Sequence, residues 1–506
     1  MSGGSRQRAR EPNGRLLGGL RTPKGLVASL LVGGALIAAA IVWLAVRGGG
    51  NPASPSAPPP DQPSAPATSF PPGAGGDTPG ASPAPVIAVT DRRGQRIQGW
   101  GTSVLGTGQS DPIVSGSGLS TSQLDGLDRL VFRKAGINLV RVLPQGGPAE
   151  PVTGPAAWSS SDQRLRFMRR VSRFGVRFMF TGGGAPLSMR AASSPTGPLL
   201  AGQEGAYARF LANSLEVAQR AGAPFTWAAI GNEVDNQGNY WVAMQPEQAA
   251  RVYRDLAREI RSRGLRTRLV LGDNESWAGT NEYSNLEWQQ PAVRSLASVV
   301  ASHGYGTVGP SVVRPVTVFA RRRGLAPWMT EWVTGCTADP SDAAAQLTIA
   351  IQWANRITSD LTIGDVQAWF MLQAVPPASH GASCGIAVRK FGDPRHPYVV
   401  NKRYWMLRQF TSVAQPGAHR YDVATDAGDL GAVAFRRGRA TGLVVTNPGS
   451  VARAVRVVLG HRGALSVRTT SATDNFRLVR ESSYDGGELE QVLPPQSVTT
   501  FRLVAR

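Results

Sequence analysis

The chain has 506 residues, 42% hydrophobic and 17% charged, with a formal net charge of +20 and two cysteines. That supports a large core and argues against a wholly disordered chain. The basic balance favours anionic surroundings, in part simply as arginine used on the surface, but there is no zinc-ligand pattern, basic helix or aromatic-basic interleaving to suit nucleic acid.

Residues 1–24 carry Arg6, Arg8, Arg10, Arg15, Arg21 and Lys24 against Glu11 alone. The next segment, "GLVASLLVGGALIAAAIVWLAV" (25–46), has no charge. As a helix it spans about 33 Å, enough to cross a bilayer. The basic flank should remain cytoplasmic, with everything beyond it outside. A cleaved secretory signal is the rival reading, disfavoured by the length of the run and by the lack of a cleavage site. Residues 47–85 are Pro, Ala, Ser and Gly with little else, a composition that makes a tether rather than a core.

From residue 86 apolar runs and helical patterns alternate. A strand at 86–95 precedes them. Strands are expected at 96–103, 138–144, 176–183, 226–233, 268–275, 298–306, 326–332 and 365–372. The helices expected after them lie at 120–135, 162–174, 205–221, 246–263, 289–298, 311–323, 341–359 and 402–413. Eight strand-helix pairs predict an α/β fold, a (β/α)8 TIM barrel over 96–415. A doubly wound open sheet is the alternative, lowered by the lack of an early glycine-rich phosphate loop. Beyond 416 the runs are short and β-branched, between Gly, Asn and Pro. They predict a C-terminal antiparallel β-sandwich over 416–506, which 86–95 is expected to join.

Active sites in such barrels lie at the carboxyl ends of the strands. The fourth strand ends in Asn232-Glu233 and the seventh in Thr330-Glu331. The two glutamates are 98 residues apart, three units of about 33 residues. Burying either carboxylate costs several kcal/mol unless it has a use. Two converging carboxyl groups suit glycoside hydrolysis, because their mutual repulsion leaves a proton on one of them. Glu275, at the end of the fifth strand, is the reserve carboxylate. Asp235 and Asn236 read as rim residues.

The pairing of "GNE" with "TEW" resembles the retaining clan of (β/α)8 glycoside hydrolases. "IQGWGTS", "GINLVRV", "HGY", "KRYWMLRQFTSVAQPGAHR" and "RTTSATDNFRLV" with "LPPQSVTTFRL" are similar, in that order, to segments of glycoside hydrolase family 30. The resemblance runs from about residue 86 to the end. It implies Glu233 as acid and base, Glu331 as nucleophile and Asn232 as a partner of the sugar 2-hydroxyl. Arg141 and Tyr305 would hold Glu331, His303 would line the same wall, and Trp369 would offer an apolar face to the sugar. No cofactor is implied, and five scattered histidines lack metal-ligand spacing. The sequence departs from the family at "TGGGAPLSMR" (181–190), which lacks the usual aromatic, and at Val234, where the family has Pro.

Cys336 and Cys384 fall in adjacent loops at one barrel face, and a disulfide between them is expected in an oxidising compartment. The whole reads as a monomeric, membrane-anchored, extracytoplasmic retaining glycoside hydrolase acting on a β-linked carbohydrate, with a wall-attached or acidic polysaccharide mildly favoured by charge. The competing readings are a catalytically silent ectodomain that binds cell-surface glycan, and a basic ectodomain that retains anionic polymer.

Overall fold

The computed structural model describes residues 84–105, 111–144, 154–194, 197–236, 241–336, 338, 339, 341–376, 384–389 and 397–505. The apolar run at 25–46 and nearly all of the tether lie outside the described residues. Among the described residues no helix is long and apolar enough to cross a membrane.

Strand β1 (Val86–Arg96) leads into a closed barrel of eight parallel strands. These are β2 (Gly99–Val104), β3 (Leu139–Val142), β4 (Arg177–Thr181), β5 (Trp227–Ala229), β6 (Arg268–Asn274), β7 (Ala297–His303), β8 (Ala326–Glu331) and β9 (Ala368–Met371). The barrel strands are buried almost throughout, which is why they read as apolar runs without alternation. Their inward side chains fill the interior. Trp328 packs against Trp227 at 4.7 Å and against Phe370 at 5.6 Å, so the barrel is plugged, not hollow.

Each barrel strand is followed by a helix. In order they are α1 (Thr121–Asp128), α2 (Gln163–Val171), α3 (Glu204–Arg220), α4 (Pro246–Ser262), α5 (Trp277–Gln289), α6 (Pro310–Arg322), α7 (Ala343–Thr362) and α8 (Lys402–Thr411). Local caps set several starts. Ser120 and Gln123 form a reciprocal capping box, and Asp342 accepts from the Ala344 and Ala345 amides. The fifth helix corrects the sequence reading. It occupies 277–289, and only a short turn, Pro291–Arg294, falls within the expected 289–298. Its buried side includes Thr280, Ser284 and Glu287, so polar residues hide the apolar period. Glu287 is there to accept the Gly272 amide at 2.9 Å.

A short antiparallel pair, β10 (Ala387–Arg389) and β11 (Tyr398–Val400), precedes α8, and the C-terminal strands form one nine-stranded ladder. These are β12 (His419–Thr425), β13 (Gly431–Arg437), β14 (Ala440–Asn447), β15 (Arg453–Val458), β16 (Gly463–Thr470), β17 (Arg477–Tyr484), β18 (Leu489–Leu493) and β19 (Ser497–Ala505), together with β1. β1 pairs antiparallel with β12 and parallel with β15. The order is β17-β16-β19-β14-β13-β12-β1-β15-β18. In a flat ladder of that order Tyr484, on the edge strand β17, would lie far from β15. Yet its hydroxyl accepts the Leu459 amide, just past β15, at 3.0 Å. The ladder therefore folds over on itself, a single sheet in hydrogen bonding and a sandwich in packing. Ile87, Leu443, Val457, Val467 and Phe501 lie in its core. Its other face packs on α7 and α8, where a Cβ on Gly442 would come within 2.3 Å of the Val413 Cβ.

Cys336 and Cys384 are bonded, with Cα atoms 4.2 Å apart. The bridge ties the segment after β8 to the segment after β9.

Candidate active site

The site is built around Arg141, a wholly buried guanidinium on β3. Its Nη1 donates to Glu331 Oε2 at 2.8 Å. Its Nε and Nη2 donate to Asp273 Oδ2 at 3.1 and 2.9 Å. Nε also reaches Thr181 Oγ1 at 3.0 Å, and Nη2 donates to Asn232 Oδ1. A buried charge is tolerated only when paired and hydrogen-bonded, and this one is paired twice.

Glu331 ends β8. Tyr305 donates its hydroxyl to Glu331 Oε1 at 3.1 Å, so both carboxylate oxygens have a donor. Glu233 lies opposite, in the turn after β5. One oxygen of each glutamate and a His303 ring nitrogen all fall within 4.8 Å of one another. The same trio has the spacing of a cation site, but the guanidinium already neutralises Glu331.

Glu233 has φ 48°, in the left-handed region that a residue with a Cβ rarely adopts. Its amide donates to Asp273 O at 3.0 Å, and its carbonyl accepts the Asn236 amide at 2.9 Å. The Asn232 amide donates to Gly182 O at 3.0 Å. A Cβ on Gly182 would lie 2.1 Å from Ile230 O, so the glycine-rich loop after β4 lets the turn close. The strain falls on the side chain that must be aimed, a pattern common at active sites.

Asp273 is the residue the sequence reading passed over. It lies on a β-bulge where the β6–β7 register shifts, with Gly272 and Asp273 both at positive φ. The bulge turns its carboxylate into the barrel, where Thr330 donates to Oδ1 at 2.6 Å and Thr181 to Oδ2 at 2.9 Å. Burial alone would raise Asp273, but Arg141, His303 and Thr330 more than reverse it and hold the carboxyl well below its usual range. The cue in the sequence was Gly272, a glycine inside a strand followed directly by an acid.

His303, wholly buried on β7, faces Glu233 through Nδ1 at 2.8 Å and Asp273 through Nε2 at 3.5 Å. Burial disfavours its charge, but Glu331, Asp273 and Glu233 outweigh burial and the repulsion of Arg141, pushing it up to about 10. The ring is thus an imidazolium near neutral pH. Burial raises Glu331, with Glu233 and Asp273 adding to the effect, while His303 and Arg141 oppose it. Burial, then the Glu331 charge, keeps the Tyr305 hydroxyl protonated.

A pH dependence of stability follows. His303 has a higher folded value, about 10, than the ordinary 6.5. Its contribution is complete below 6.5 and is lost as pH rises through about 10. The unfolding free energy should fall by a few kcal/mol across that window. Chemical denaturation at stepped pH checks this, and His303→Gln should flatten the slope.

The structure thus brings Glu233, Glu331, Asn232, Arg141, His303 and Tyr305 together. Trp369 is a correction. It is 1% exposed, its indole Nε1 donates to Asp360 Oδ2 at 2.9 Å, and its ring packs against Trp353 at 5.6 Å. It belongs to the layer between barrel and α7 and offers no face to a sugar. Trp332, half-buried, directly follows Glu331, and the Trp369 ring packs against it at 6.3 Å. Glu275 lies outside the cluster, its amide donating to Asp235 Oδ1 at 3.1 Å. Asp235, raised to about 7 by burial, anchors the turn that presents Glu233.

Residues 198–382 match the family model described as Glycosyl hydrolase catalytic core, a span that holds both glutamates. The fold is similar to that of a glycoside hydrolase family 30 subfamily 8 xylanase from Clostridium acetobutylicum, at 21% identity and TM-score 0.66, covering 83% of this chain and 100% of that one. It is also similar to the family 30 xylanase C catalytic domain of Talaromyces cellulolyticus, at 19% identity and TM-score 0.67, with the same coverage. An endo-β1,6-glucanase matches at 15% identity and TM-score 0.65, over 83% of this chain and 94% of its own.

Proposed function

We propose that this chain is a retaining glycoside hydrolase of family 30, with Glu331 as nucleophile and Glu233 as acid and base. The matched catalytic core and the family 30 neighbours support the glycosidase. The observation that carries the mechanism is the approach of Glu233 and Glu331, whose nearest oxygens fall within 4.8 Å. Retaining enzymes hold their carboxyl groups about 5–5.5 Å apart, and inverting enzymes leave roughly 6.5–9.5 Å for a water.

In the first step Glu331 attacks the anomeric carbon while Glu233 protonates the leaving oxygen. Arg141 and Tyr305 hold both oxygens of Glu331, leaving little orientational search at the moment of attack. His303 and Glu233 share a proton across their 2.8 Å hydrogen bond; once that proton resides on Glu233, the carboxyl can pass a proton to the leaving oxygen and His303 is left neutral. Esterifying Glu331 removes its charge, which favours a charged Glu233 as the base that activates water. Asn232, fixed by Arg141, takes the role of partner to the sugar 2-hydroxyl, a contact that strengthens in the transition state.

Location enters on sequence grounds. The basic flank, the apolar run 25–46 and the tether support an anchored, extracytoplasmic enzyme, and the disulfide suits an oxidising compartment. Proton NMR of an aryl β-xyloside or β-glucoside digest tests the mechanism. The β-anomer of the released sugar should accumulate first and then mutarotate; initial release of the α-anomer would overturn retention. Saturable binding of every glycoside in the panel with no hydrolysis would favour the silent glycan-binding reading.

A further inference from the structure

The end of the barrel opposite the glutamates carries a second concave surface that the reaction does not use. A cleft of about 760 Å3 lies between the amino ends of β7, β8 and β9, helix α6, and strands β1 and β12. A smaller one of about 420 Å3 adjoins it under β4, β5 and β6, and Gln98 and Ser298 line both. The Trp227–Trp328–Phe370 plug separates them from the catalytic end.

The charges around this double cleft do not cancel. Five arginines and two aspartates line the larger lobe. Asp422 is engaged by Arg420 and by Arg92, at 3.0 Å from the latter, and Asp365 lies 3.5 Å from Arg420. Arg314 and Arg321, two turns apart on α6, have no ion-pair partner among the described residues. The smaller lobe holds Arg96, Arg177 and Arg268, and no acidic residue lines it. Arg177 stacks over the Trp227 ring at 4.8 Å. Burial, and then the Arg96 charge, make its guanidinium harder to protonate. Like charges gathered in one concavity repel, and an anion entering it relieves the repulsion.

We propose that this cleft binds a carboxylated glycan strand, its guanidinium groups pairing with acid groups spaced along the chain. The planar fork of arginine matches a carboxylate in a way that a lysine would not. The lobes share Gln98 and Ser298 in their walls, and their concavity suits one narrow chain better than a flat lipid surface. Such a site would hold a polymer on the enzyme by a face that leaves the catalytic mouth open. It rests on these charges alone and does not require the glycosidase reading.

The test is calorimetric titration of the full-length chain with polygalacturonate, neutral dextran of matched length, and phosphatidylglycerol vesicles. Polygalacturonate should bind, less tightly as salt rises, and dextran should not. Arg314→Gln with Arg321→Gln, both on the exposed side of α6, should weaken binding about tenfold with an unchanged thermal midpoint. Arg96→Gln with Arg268→Gln, in the other lobe, should do the same. Wild-type affinity in either double variant, equal binding of dextran, or binding confined to the vesicles would overturn the proposal. The readout is independent of hydrolysis, so an inactive enzyme that still binds polygalacturonate leaves it standing.

Discussion

Glu331→Ala should lower kcat/KM by about ten-thousandfold or more while the chain stays folded. Removal of a covalent nucleophile takes away the intermediate itself, and residues acting as one unit lose most of their effect together. Folding should survive because Arg141 keeps Asp273, Thr181 and Asn232 as partners when Glu331 is gone. Glu233→Ala should behave differently across substrates. A nitrophenyl leaving group needs little protonation, so its cleavage should suffer less than that of an alkyl glycoside. Steady-state kinetics with both substrates, and circular dichroism to confirm folding, make the comparison. Near wild-type turnover in Glu331→Ala would remove it as the nucleophile.

The second large effect is on stability. Arg141→Met should destabilise the protein by about 3–5 kcal/mol, because it strands Asp273 and Glu331 as buried carboxylates without their cation. Urea denaturation measures the loss. Adding Asp273→Asn should cost less than the sum of the single changes, since it removes one of the stranded charges. Strict additivity would mean that the Arg141–Asp273 pair is not what holds the site together.

Much of this arrangement was legible before any coordinates, and the reasons differ by residue. Glu233 and Glu331 stood out because a carboxylate ending an apolar strand is expensive, and because barrel geometry turns a 98-residue interval into opposite sides of one mouth. Arg141 was reached through the resemblance of "GINLVRV" to a segment of the family. Asp273 was not, because its role depends on a bulge that rotates one side chain, a local change that strand periodicity does not carry. Trp369 was misread because an aromatic near a strand end can face either the mouth or the helix layer. Its indole bond to Asp360 decides that in three dimensions. Helix α5 was misplaced because its buried side is largely polar, so its burial is visible only once Glu287 meets the Gly272 amide. The terminal strands were individually readable. Their closure into one folded ladder was not, since it depends on β1 from the other end of the described chain.

The central claim is that Glu331 forms a bond to the sugar while Glu233 serves the leaving group. It is tested most directly by incubating the protein with a 2-deoxy-2-fluoro β-glycosyl fluoride of an accepted sugar and mapping the modified peptide by mass spectrometry. The account predicts one fluoroglycosyl unit on Glu331, formed also in Glu233→Ala because fluoride leaves with little help from an acid. An adduct on Glu233 or Glu275, or steady hydrolysis of the parent glycoside with no adduct at all, would contradict it.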